Sequence, residues 1–218
     1  MSEKPGLTQE LEELKTNFSK KASQEKKDAY ETGIKEVAES GILSKALKKG
    51  DTAKDFTLKN ALGKEISLYE ELKEGPVLLV WYRGGWCPYC NLTLHHLQKK
   101  LPEFQKYNAN LIAITPELPD KSLSTKEKHK LQFQVVSDVG NKVAKDYGIV
   151  FKVNAEVSKY YKEKFNLQEY NGDASDELPL AATYIIEKSG KITYAFLDAD
   201  YRKRADPEEL LSVLRSMQ

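Results

Sequence analysis

Only two cysteines occur in 218 residues, and they fall three positions apart, at Cys87 and Cys90. That excludes a disulfide-stapled scaffold, and a chain of this length buries a core without covalent help. Long apolar runs are missing as well. None approaches the ~20 residues of a membrane span, so no membrane partner is expected. Neither sign of charge dominates: the formal net charge is +1 with 31% charged residues, which leaves no global field for nucleic acid. Arginine is scarce, since among 34 basic residues only Arg83, Arg202, Arg204 and Arg215 are not lysine. The opening "MSEKPGLTQELEEL" lacks the basic-then-apolar order of a secretory leader. These absences set the expectation of a cytoplasmic, reducing home, where a Cys-x-x-Cys pair serves catalysis or metal binding.

What is present reads as an α/β chain. Residues 7 to about 48 are predicted helical, with Leu7, Leu11, Leu14 and Phe18, then Tyr30, Ile34 and Val37, at helical spacing. Residues 1–48 are therefore expected to form a helical N-terminal extension that packs on its own domain, 49–218. "DFTLKNALGKEISLYEEL" predicts a β-hairpin. Val77 to Tyr82 is apolar on both faces and predicts a central strand. Strands at "ANLIAIT" and "FQVVSD" alternate with helices at "NLTLHHLQKKLPEF", "SLSTKEKHKL" and "NKVAKDYG". A hairpin turned at Ser189-Gly190 follows, then a helix with Asp206 as N-cap and Pro207 in its first turn. The order implies a mixed central sheet flanked by helices.

The chemistry concentrates in "VLLVWYRGGWCPYC". A buried strand ends, Gly84-Gly85 turn the chain, and a helix begins at the cysteines with Pro88 in its first turn. Helix amides and Arg83 favour a thiolate there, and a second thiol three residues on lies within disulfide reach. By this geometry Cys87 is the exposed, more acidic thiol and Cys90 the deeper one. Zinc is the rival reading, with His95 and His96 nearby. At ~100° per residue those rings diverge from Cys90 by roughly 140° and 120°, and His129 lies far along the chain. No metal and no cofactor is expected, and the histidines are read as helix-surface or partly packed residues.

Together, "GDTAKDFTLKNALGKEISL", "VLLVWYRGGWCPYC", "LIAIT", "FQVVSD", "VAKDYGI" and "ATYIIEKSGKI" resemble the alkyl hydroperoxide reductase/thiol-specific antioxidant (AhpC/TSA) family, in its peroxiredoxin-like branch, over residues 49 to 215. The resemblance implies a thioredoxin-like fold, a peroxide substrate and an external thiol reductant of thioredoxin or glutathione type. It places Cys90 at the peroxidatic position, Cys87 where the family has Thr or Ser, and Arg83 where it has Pro. The family's activating arginine falls near Ala181, which has no charge. "CPYC" also resembles thioredoxin and glutaredoxin, where the first cysteine attacks; those proteins carry a cis-proline near the Ala181 position, and this chain has Pro179 nearby. Two enzymatic readings therefore stand: a peroxiredoxin-like thiol peroxidase cycling Cys87 and Cys90 through a disulfide, or a protein thiol-disulfide oxidoreductase. A redox-sensing binding module working through the N-terminal helices is the third.

Three further features are weighed. Trp86 and Tyr89 flank the cysteines as an apolar rim or as plain packing. Residues 151–180 form a long insertion whose Tyr160, Tyr161, Phe165 and Tyr170 are read as covering a sheet edge, with a lid or a homodimer contact as the alternative. "DADYRKRADP" is read as a solvated turn rather than an anion site.

Overall fold

The computed structural model describes residues 5–218; residues 1–4 of the expected extension lie outside the described residues. The chain runs α1 (Leu7–Lys21), α2 (Gln24–Glu39), α3 (Ile42–Lys45), β1 (Thr57–Lys59), β2 (Glu65–Ser67), α4 (Leu68–Glu74) and β3 (Val77–Trp81). It continues with α5 (Pro88–Gln105), β4 (Asn110–Thr115), α6 (Pro119–Lys128), β5 (Gln134–Ser137), α7 (Lys142–Asp146) and β6 (Val150–Lys152). Then come α8 (Ala155–Lys164), α9 (Leu167–Asn171), β7 (Glu177–Pro179), β8 (Thr183–Ile186), β9 (Ile192–Phe196) and α10 (Pro207–Ser216).

Among the described residues the main sheet has the order β5-β4-β3-β8-β9. Strand β3 is parallel to β4 and antiparallel to β8, so the sheet is mixed and β3 lies at its centre. Its alternation explains why it reads as a continuous apolar run. Val77, Leu79 and Trp81 enter the core on one face, Leu78, Val80 and Tyr82 the core on the other. The second face is covered by α5, which turns Cys90, Leu94, Leu97, Leu101 and Phe104 inward at steps of three and four.

Helices α1 and α10 both pack on α5, and α2 packs on α8. Leu7 and Leu11 share the α5 core, while Val37, Ile42 and Ala46 share the opposite one. The N-terminal helices are thus layers of the same body. Asp206 caps α10 through its carboxylate, which accepts from the Glu208 amide at 2.8 Å. The insertion builds its own small unit: β6 pairs antiparallel with β7, and α8 and α9 lie between them.

Candidate active site: a buried dithiol between two arginines

The turn after β3 has no room for side chains. Gly84 has φ +153°, and a Cβ there would come within 2.2 Å of the Trp86 indole nitrogen. A Cβ on Gly85 would come within 2.0 Å of Thr125 Oγ1. The turn is tied from both sides: the Gly85 amide donates to Glu117 Oε1 at 2.9 Å, and Asn91 Nδ2 donates to the Gly85 carbonyl at 2.8 Å. Cys87 is the N-cap residue of α5, and Pro88 begins the helix, where its missing N–H costs nothing.

The two cysteines lie 3.1 Å apart, both reduced and both buried, with Cys87 1% and Cys90 0% exposed. Their environments differ in sign. Burial pushes the Cys87 thiol up, and its hydrogen bond to Cys90 pushes it further. Burial also works against a charge on Cys90. The Cys87 hydrogen bond, Arg204, Arg83 and the Arg83 backbone amide outweigh it and hold Cys90 well below the ordinary thiol range. The expectation of an exposed, more acidic Cys87 is corrected here. Cys90 sits on the same helix stripe as Leu94 and Leu97, so its burial is set by packing. The charges that offset that burial come from other elements.

Arg204 donates from Nη2 to Cys90 Sγ at 3.3 Å. Its other terminal nitrogen is held by the Tyr201 carbonyl and by the Lys203 carbonyl at 2.6 Å. Arg202, two residues earlier in the same loop, pairs with Asp200 at 2.8 Å and with Glu31 of α2 at 2.5 Å. Both arginines are only 8% exposed, so the reading of 198–207 as a solvated turn is corrected. The loop carries Arg204 into the site and is latched to the N-terminal helices. Arg83 is 3% exposed and lies among rings, 4.1 Å from the Tyr201 ring centroid and 4.9 Å from that of Trp86. It donates to the Tyr161 hydroxyl at 2.5 Å, and its Nε–H has no acceptor among the described residues.

The insertion supplies one wall. Trp86 stacks on Phe165 with centroids 4.4 Å apart and meets Tyr161 at 5.2 Å. Tyr161 and Phe165 therefore pack on the site rather than along a sheet edge, which corrects that reading. A cavity of about 310 Å³ lies over Cys87, and Trp86, Pro88 and Tyr89 also line it. Of the histidines, His96 faces Glu10 at 3.1 Å, while His95 lines a separate hollow with His129.

Below the turn, Glu117 is fully buried. Burial raises its carboxyl to about 7, against the Gly85 amide, with the Cys90 charge adding to the rise. Sequence reading overlooked Glu117, placed Arg204 in a solvated turn and read Tyr161 as covering a sheet edge. The scarcity of arginine was the available signal for Arg204, because a lysine-rich surface has no need of one. Nothing local marks Glu117.

A family model described as the AhpC/TSA family matches residues 49–195. The chain is similar to peroxiredoxin Q, chloroplastic, of Oryza sativa subsp. japonica, being 27% identical over 180 residues that cover 81% of this chain and 70% of that one. The protein of the same name from Arabidopsis thaliana is 26% identical over 188 residues, covering 86% of this chain and 76% of that one. Among solved structures, peroxidoxin BcpB from Mycobacterium tuberculosis has a TM-score of 0.62 at 22% identity, covering 79% of this chain and 99% of the other. A peroxiredoxin-like protein from Aquifex aeolicus has a TM-score of 0.63 at 16% identity, covering 79% and 89%. At these identities the structures speak to the fold, which is the thioredoxin-like one with its mixed sheet.

Proposed function

The chain belongs to the AhpC/TSA family, and from that premise we propose that it is a thiol-dependent peroxidase in which Cys90 attacks the peroxide and Cys87 resolves the product. The observation that carries this reading is Cys90 Sγ within 3.3 Å of Arg204 Nη2, on a cysteine that lies 3.1 Å from Cys87. A thiolate needs nearby cations, and a CxxC resolving thiol needs to stand within bonding range of the oxidised sulfur. Here both conditions meet on one atom.

The Cys90 thiolate attacks one peroxide oxygen. The O–O bond breaks, an S–O bond forms, and the departing alkoxide or hydroxide takes a proton from water. Arg204 and Arg83 supply positive charge at this sulfur, from positions other than the family's activating arginine, whose place near Ala181 is uncharged. The Cys87 sulfur then attacks Cys90 sulfenic acid, releasing water and forming the Cys87–Cys90 disulfide. Family membership implies a peroxide substrate and a thioredoxin-type thiol donor to restore the dithiol. Pro88 starts the helix, and Trp86 shields Arg83.

The protein disulfide reductase reading has less support, because it needs Cys87 in reach of a folded substrate and Cys87 is buried. The binding-module reading is weakened by α1 and α2 packing into the same body. Rapid mixing of reduced protein with hydrogen peroxide and with cumene hydroperoxide tests the proposal. Both thiols should disappear much faster than free cysteine, and Cys90→Ser should abolish the reaction; loss of reactivity in Cys87→Ser alone would reverse the roles. Cytoplasmic residence is part of the same proposal and is checked by fractionation of a tagged chain.

A further inference from the structure

The cavity beside the dithiol opens on one sulfur only. Cys87 lies on its wall and Cys90 does not. Its walls are largely aromatic, with Phe18 and Tyr30 from the N-terminal helices facing Trp86 and Phe165. Lys21, Lys26 and Lys164 stand around it, and among the described residues no acidic side chain lines it. Lys26 lies over the Tyr160 ring at 4.8 Å. Arg83 also lines the cavity, buried; among the described residues its Nε–H lacks an acceptor, and its guanidinium is paired with a tyrosine hydroxyl instead of a carboxylate. Four cations without an acid is an uncommon lining for so apolar a hollow, and it favours an anionic guest.

The oxidised state says which guest. Of the two sulfurs of a Cys87–Cys90 disulfide, Cys87 is the one on the cavity wall, while Cys90 is the one stabilised as a leaving thiolate by Arg204. Thiol-disulfide exchange runs fastest when the attacked sulfur is open and the leaving sulfur is acidic. A cavity of about 310 Å³ is at the lower end of small-ligand sites, which span ~300–1,000 Å³. Cys87 is only 1% exposed, so a donor small enough to occupy the cavity meets this sulfur more readily than a folded protein surface does.

Resting on the peroxidase reading, we propose that this cavity is an entry site for a low-molecular-weight thiol bearing carboxylates, of the cysteinyl-peptide class, which reduces the disulfide by attack on Cys87. The incoming thiolate bonds to Cys87 Sγ, the S–S bond breaks, and Cys90 leaves as a thiolate facing Arg204. A second molecule of the same thiol attacks the mixed disulfide. It departs as the symmetric low-molecular-weight disulfide, and Cys87 leaves as a thiolate that takes up a proton. Two thiols are oxidised for one dithiol restored.

The test begins from chain oxidised to the disulfide with diamide, so that it reports on reduction whether or not peroxide reacts. The probes are glutathione and its diethyl ester, which carry the same thiol with the carboxylates free or masked. At low salt the free acid should reduce the disulfide ~10-fold faster than the ester, and this ratio should collapse toward one in high salt. Lys21→Glu with Lys26→Glu and Lys164→Glu should reverse it, and Lys164→Glu alone should lower it. Equal rates for acid and ester in the native chain, or a ratio indifferent to both salt and substitution, would overturn the site. Failure of peroxide to oxidise the reduced chain would instead remove the peroxidase reading, and the two failures are read in separate reactions.

Discussion

Arg83, four residues before Cys87, and Arg204, from the last loop of the chain, act on the same pair of sulfurs and are held in different ways. Arg204 is clamped by two carbonyls of its own loop and aims one nitrogen at Cys90. Arg83 is held by aromatic faces and one hydroxyl, with a donor left over. A carbonyl clamp fixes direction, whereas rings fix position and leave hydrogen-bonding capacity free. The first arginine is therefore suited to stabilising one thiolate, and the second to meeting whatever enters the cavity.

Removing the sulfur between them has the largest expected effect. Cys90→Ser should eliminate peroxide consumption, while Cys87→Ser should still react with one equivalent and stop at the sulfenic acid, detected by dimedone labelling and mass spectrometry.

Substituting the arginines separates their roles. A hydrogen bond to a charged group contributes about 1.5–3 kcal/mol, so Arg204→Met should slow peroxide oxidation at pH 7 by ~10–100-fold. The Cys90 thiolate absorbance near 240 nm should then titrate at higher pH than in the native chain. Arg83→Met should raise the Cys90 titration less, since its charge acts behind that of Arg204. An equal or larger rise would break the comparison. In the native chain Cys90 is depressed, so its thiolate persists as pH falls below the usual ~8.5, whereas the stability its ionisation confers declines from that point and is gone once pH has passed the lower folded value.

Glu117 gives a smaller effect with the opposite sign. Its folded value of about 7 lies above the ordinary 4.5 because burial dominates; Cys90 adds to the rise, and the Gly85 amide, Thr115 and Lys121 oppose it. The buried Tyr82 hydroxyl feels the same carboxylate. The folded state therefore binds the extra proton between pH 4.5 and 7. Its contribution is complete below the lower value and declines as pH rises through the upper one, by at most on the order of 3 kcal/mol. Glu117→Gln should flatten that slope in urea titrations at pH 5, 6 and 7. A slope unchanged by the substitution would assign it to another group.

The latch between Arg202 and Glu31 should matter least. Glu31 is largely exposed, and such pairs contribute roughly 0.2–1 kcal/mol. Glu31→Gln should slow peroxide oxidation by less than a factor of five, an effect that shrinks in salt. A larger loss would mean that α2 sets the position of Arg204 more strongly than its exposed contact implies.

The order of strands and helices was legible because each carries its own period: β3 as a continuous apolar run, α5 as a stripe from Cys90 to Phe104, α10 as a cap followed by Pro207. The dithiol was legible for the same reason, since a turn of two glycines before a proline-started helix is written in adjacent residues. Even the depth of Cys90 lay in its register with Leu94, Leu97 and Leu101, although helix polarity alone pointed to Cys87 as the acidic thiol. Polarity is a local property, and here it was outweighed by burial and by two guanidinium groups.

The sequence by itself determined the fold, the pair of sulfurs and Arg83 beside them, because those depend on contacts among near neighbours. Which sulfur carries the charge was decided by tertiary structure. The deciding cation stands 114 positions from Cys90, in a stretch that reads locally as solvated. The wall over Cys87 likewise combines the first helices with the insertion. Coulomb interactions and desolvation act through space, and no local pattern in a chain records where space will bring its distant parts together.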